Sequence, residues 1–153
     1  MKRIGLFMLK PHAVGTIVEE EVKKMFLSAD LEIYFEKIVD VNEEQLRKSQ
    51  PILATNKFNE EQQRDILKYS LGKSKFFLIT GNEDVFEKLK VIKWKIRNKY
   101  SEMSLGKICP AYVHSPENFE EVFTDTKVFI PETINVVKFF NRADNTKQQT
   151  MGI

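Results

Sequence analysis

The sequence predicts one α+β domain: a ferredoxin-like sandwich in which a βαββαβ chain builds an antiparallel sheet covered by helices. Three observations carry this expectation. Lys2 to Leu9 is an apolar, β-compatible run that stops at Lys10-Pro11, where proline cannot continue a ladder. Two segments, from Val14 and from about Glu83, repeat apolar residues at helical spacing. Between them lie Leu31 to Val41, which alternates like a half-buried strand, and the short apolar run Phe76 to Ile79. Strands and helices arriving in this order, with helices on one face of the sheet, define the ferredoxin-like arrangement.

Each element has a local reason. Val14, Val18, Val22, Met25 and Phe26 share one helical face, with Glu19, Glu20, Lys23 and Lys24 between them. In the second strand Leu31, Ile33 and Phe35 alternate with Glu32, Tyr34 and Glu36. Asn42-Glu43-Glu44 opens a helix, and Pro51 to Leu71 is polar and helical in character, with Ile66, Leu67 and Tyr69 inward and Gly72 as terminator. Gly81-Asn82 turns the third strand into a helix from about Glu83 to Lys99, and Pro110 to His114 supplies the fourth strand. The first and third strands are expected at the centre and parallel, with the fourth beside the first and antiparallel to it. The domain is expected over residues 1–140, followed by a polar tail at 141–153.

Composition narrows the function classes. A chain of 153 residues suits one domain. With 42% hydrophobic and 30% charged residues it has the balance of a soluble globular protein. No run approaches the ~20 apolar residues of a membrane helix, and Lys10-Pro11 follows the apolar start where a leader would need small residues. A cytosolic protein with no membrane partner is expected. The single cysteine, Cys109, has neither a disulfide partner nor zinc-ligand spacing around it. A net charge of +2 is too small for a nucleic-acid footprint made of charge alone.

The chemistry-bearing candidates are few. His114 ends Ala111-Tyr112-Val113-His114 and precedes Ser115-Pro116-Glu117, where serine suits an N-cap and proline the first helical position. That would place an imidazole at a strand end beside a helix start, whose free N–H groups attract phosphate. A neutral imidazole is also a competent nucleophile. The bland alternative is a surface or capping histidine. In the helix from Glu83, Lys90, Lys93 and Arg97 fall at i, i+3 and i+7, a stripe about 100° from the buried face. Three cations in line suit a polyphosphate, with Arg97 able to form paired hydrogen bonds; the alternative is a solvated basic face. Lys10 ends the first strand, where its side chain would project past the sheet toward the neighbouring strand. Antiparallel strands one and four do not by direction bring their carboxyl ends together, so the residues alone leave open whether Lys10 meets His114.

Phe7-Met8-Leu9-Lys10-Pro11-His12-Ala13-Val14 resembles the opening motif of nucleoside diphosphate kinases, an apolar strand followed by Lys-Pro-Asp. Ala111 to Glu117, running on through Val122 to Asp125, resembles the family's active-site segment Asn-x-x-His-Gly-Ser-Asp and its continuation to a glutamate. Leu67-Lys68-Tyr69 and Phe76 to Gly81 resemble its central tyrosine and third strand, while Lys90 and Arg97 fall at or near two family arginines. The likeness spans roughly Arg3 to Phe129. In four places the chain departs from the pattern: His12 for aspartate, Ala111 for asparagine, Ser115 for glycine and Pro116 for serine. No tyrosine stands near Gln50 to assist Lys10, and the stretch from Lys90 to Arg97 has no room for the family's long surface loop.

This resemblance implies a ping-pong phosphotransfer from a nucleoside triphosphate to a diphosphate or related acceptor through a phosphohistidine at His114. It implies that Lys10 binds the phosphate being moved, that Lys90 and Arg97 hold the β- and γ-phosphates, with Lys93 beside them in the stripe, and that Phe58 stacks on the base. Ser115 and Asp125 would support the active-site segment. Mg2+ would be held through the nucleotide phosphates rather than by the protein, and a homo-oligomer, dimer or higher, is expected. Two other readings are a family member that binds nucleotides or proteins without transfer, and an RNA-binding module using aromatic residues on an open sheet face.

Overall fold

The computed structural model describes residues 2–49, 60–100 and 112–140. Strand β1 (Arg3–Leu9) is central, and every residue from Ile4 to Leu9 is buried. Neighbours on both edges and helices on both faces explain its unbroken apolar run. The sheet order is β2 (Glu32–Val41), β3 (Gly72–Gly81), β1, β4 (Val113–His114). All three pairings are antiparallel. The expected parallel pairing of the first and third strands is therefore corrected. The crossover helix α1 (Ile17–Ser28) returns the chain two positions away, and β3 fills the gap antiparallel to both neighbours.

Local chemistry adjusts the predicted boundaries. Pro11–Ala13 forms a 3-10 turn and Gly15 takes a positive φ of 74°, so α1 starts after Val14. The Thr16 hydroxyl caps it, accepting the Val18 N–H at 3.2 Å. In β2 a bulge between Ile33 and Phe35 breaks the alternation and leaves Ile33 exposed with Tyr34. Asn42 and Gln45 form a capping box on α2 (Glu43–Lys48). Helix α3 (Glu60–Ser70) has Leu67 and Tyr69 half-buried, as expected. The earlier part of that predicted stretch, 51–59, and the Ile66 side chain lie outside the described residues, as do Cys109, Ala111 and the tail.

Helix α4 (Val85–Lys99) and α1 cover one face, where Phe7, Leu9, Phe77 and Val113 meet Val22, Phe26, Leu89 and Ile96. The second face is not open. Helix α5 (Phe119–Phe129) and residues 131–140 cover it, packing Val122, Phe129 and Val137 on Leu6, Met8, Phe76 and Leu78. The expectation of helices on one face is thus exceeded, and the sheet face that an RNA-binding module would present is buried.

α4 approaches β1 closely because position 5 is glycine: a Cβ there would lie 2.6 Å from Leu89 Cδ1. Gly5→Val should therefore force α4 outward and lower stability by about 1–3 kcal/mol. The denaturation midpoint reports this, and an unchanged midpoint would contradict the close approach.

Candidate phosphate-binding site at the β4 edge

Strand β4 is only two residues long, which settles how Lys10 and His114 relate. Val113 pairs with Leu9, His114 with Met8, and the Lys10 N–H donates to the Tyr112 carbonyl at 2.9 Å. Being so short, β4 lies wholly beside the last residues of β1. Strand direction then no longer separates the two residues. Met8 faces the α5 side of the sheet, and its partner His114 turns its Nε2 toward Asp125 of α5, 4.0 Å from the carboxylate Oδ2.

Helix α4 brings cations to the same place from the other face. Lys10, Lys93 and Arg97 all lie close enough to depress the His114 pKa. Burial is the larger cause, and together they push it from 6.5 to about 3, so the ring is neutral at physiological pH. Lys10, 5% exposed, is lowered to about 8 by burial and then by Arg97. It does not project beyond the sheet as expected; its backbone pairs with Tyr112 and its side chain is enclosed. Lys93, 7% exposed, is also lowered, first by burial and then by Arg97, with partial relief from Glu117 at 4.0 Å. Burial lowers Arg97, whose Nε is enclosed without a hydrogen-bond partner among the described residues. His114 Nε2 is likewise enclosed without one, since 4.0 Å to Asp125 exceeds hydrogen-bond length. The 18% exposure of the His114 side chain therefore comes from its other atoms.

Unsatisfied buried donors and crowded cations are both costly, and an anion with several acceptor oxygens would relieve both. Lys90 is exposed and lies with Lys93, Ser115, Pro116 and Glu117 along a cleft of about 180 Å3. His114, Lys10 and Arg97 do not line that cleft. Phe58 lies outside the described residues. The structure thus gathers Lys10, Lys93, Arg97, His114 and Asp125, with Lys90 at the margin.

Ser115 has a different role from the expected cap. α5 begins three residues beyond Pro116, capped by Asn118, whose Oδ1 accepts the Glu121 N–H at 2.9 Å. The Ser115 hydroxyl instead donates to the Leu6 carbonyl at 3.0 Å. A buried β1 carbonyl needs a donor there, and asparagine serves equally well as a cap. The helix N-terminus consequently does not abut His114. Sequence reasoning also passed over Glu117, which faces Lys93, and the contact of the His12 ring with Tyr112, 4.4 Å between centroids. An acid three residues beyond the histidine was the available signal for the first; nothing local signalled the second.

These features define an α+β sandwich carrying a neutral histidine among clustered cations at one sheet edge. Among solved structures the chain is similar to a nucleoside diphosphate kinase from Aquifex aeolicus, with TM-score 0.61 and 14% identity over 82% of this chain and 93% of that one. It is similar also to an NDP kinase from Pyrobaculum aerophilum, with TM-score 0.58 and 17% identity over 84% and 95% of the two chains. The fold is that of nucleoside diphosphate kinases. No protein-family model and no curated protein matches the sequence.

Unfolding would return His114 from about 3 to 6.5, so the unfolded chain binds more protons between those values. The contribution of His114 to stability should be fully present above pH 6.5 and be lost as pH falls toward 3. In the native protein the His114 ring signals should stay those of a neutral imidazole down to pH 5, and Lys93→Met should raise its titration point. A midpoint near 6.5 in NMR titration would contradict the enclosed, cation-flanked site.

Proposed function

We propose that the chain is a nucleoside diphosphate kinase-like phosphotransferase, moving the γ-phosphate of a nucleoside triphosphate to a diphosphate or related acceptor through His114. The observation that supports this best is the neutral imidazole ringed by Lys10, Lys93 and Arg97, in a chain with the fold of these kinases.

In the first half-reaction the His114 Nδ1 lone pair attacks the γ-phosphorus, because Nε2 is enclosed and faces Asp125. A P–N bond forms as the P–O bond to the bridging oxygen breaks, and the diphosphate leaves with that electron pair. The second half-reaction reverses these steps with a new diphosphate. Lys10 neutralises the moving phosphoryl group. Lys93, Arg97 and, at the margin, Lys90 hold the remaining phosphates; Phe58 as base contact rests on the resemblance. Ser115 anchors the histidine segment to β1, and the Asp125 carboxylate faces Nε2 from 4.0 Å, where it favours the tautomer that leaves the Nδ1 lone pair free.

Among the described residues no group of three or more His, Cys, Asp or Glu could hold a metal. Mg2+ would be held through the phosphate oxygens of the bound nucleotide, whose charge it would offset. No helix among the described residues is long and apolar enough to cross a membrane. A homo-oligomer belongs to the same proposal, since the β2 edge exposes Ile33, Tyr34 and Ile38; sedimentation velocity reports it.

One observation favours a second reading, nucleotide binding without transfer: at 4.0 Å the Asp125 carboxylate does not yet hold the imidazole. One experiment separates the two. Incubation with γ-labelled ATP should give an acid-labile, alkali-stable label that is absent from His114→Ala and forms about 100-fold more slowly in Lys10→Met. Stoichiometric ATP binding without label would leave only the second reading.

A further inference from the structure

We propose that Trp94 is the platform on which the base of a bound nucleotide stacks, the nucleotide's phosphates being held by Lys93 and Arg97. The inference rests on the nucleotide reading of the site. It goes beyond that reading by naming the side chain that distinguishes a nucleotide from a bare polyphosphate.

Trp94 is the only tryptophan of the chain, and it is 49% exposed on α4. A side chain with so much apolar area is ordinarily well buried, so its exposure calls for a reason. Its position on the helix supplies one. With 100° per residue, Lys93, Arg97, Lys90 and Trp94 follow one another around α4 as an arc about 100° wide. The arc runs from Lys93, buried beside His114, to Lys90 and Trp94, both exposed. At a side-chain radius of about 5–6 Å its ends are roughly 8 Å apart, comparable to the span of a ribose with one phosphate. A ligand anchored by its terminal phosphates at Lys93 and Arg97 can therefore reach the indole without leaving the helix surface.

The indole is also prepared for stacking. The Arg97 guanidinium lies 5.4 Å from the Trp94 ring centroid, a cation–π contact that restrains the ring before any ligand arrives. Arg97 thus joins the two parts of the arc, touching the ring while it lowers the pKa of Lys10, Lys93 and His114. Stacking tolerates any base, because every base offers a π face. A site built this way discriminates weakly among nucleotides and strongly against phosphate chains without a base.

The test compares ADP, which has no γ-phosphate to transfer, with pyrophosphate as a base-free probe, on the full chain. Calorimetry gives the affinities and the single tryptophan gives a fluorescence signal. ADP should quench the fluorescence while pyrophosphate leaves it nearly unchanged. Trp94→Ala should weaken ADP roughly tenfold or more and leave pyrophosphate affinity intact, with Trp94→Phe recovering most of the loss. Equal ADP affinity in Trp94→Ala and wild type would overturn the inference while the phosphate site stands, as would a loss produced by Phe58→Ala alone. Failure of the wild type to bind either probe would overturn the site reading, and this inference with it.

Discussion

Like charge held in a confined space is the constraint on which the site depends. Lys10 and Lys93 are buried, Arg97 is partly so, and all three bear on one imidazole. For Lys10 the influences are burial and Arg97, and both oppose its charge. Isolated, such a group of cations would lower stability, because desolvation and mutual repulsion act in the same direction. Phosphoryl oxygens placed there would accept from the enclosed Arg97 Nε and offset the charge.

The rest of the fold supplies the rigidity that holds these groups together. Glycine at position 5 lets α4 lie close on β1, and Leu89, Ile92 and Ile96 fix the helix so that Lys93 and Arg97 fall beside β4. The edge-to-face rings of Phe7, Phe26 and Phe77 tie α1 to the same face. On the other face, Val122 and Phe129 seat α5 and thereby Asp125. Because β4 is an edge strand of two residues, groups from both faces reach His114 around it. The stretch from Lys90 to Arg97 lies wholly within α4, so Lys90, Lys93 and Arg97 are carried on one rigid element.

Much of this was legible in the residues. Strand β1 announced itself through an unbroken apolar run, and the Val85, Leu89, Ile92, Ile96 stripe identified the buried face of α4. Other features were not, for identifiable reasons. The β2 bulge depends on pairing with β3, which alternation does not encode. Ser115 looked like a cap because caps are read locally, whereas its partner is the Leu6 carbonyl, 109 residues away. The meeting of Lys10 and His114 turned on the length of β4, and strand direction alone gave no answer. The burial of Lys93 was likewise hidden, for a lysine at the border of an apolar stripe can turn either way.

The central claim, that this cluster is built to receive an anion, is tested most directly by the protons that move when one binds. With Lys10 poised at about 8, an anion placed beside it should raise that value and draw protons from solution. Calorimetric titration with pyrophosphate at pH 8, in buffers of different ionisation enthalpy, measures this uptake. The account predicts net proton uptake that disappears in Lys10→Met. Tight binding with no uptake in any buffer, or no binding at all, would contradict it.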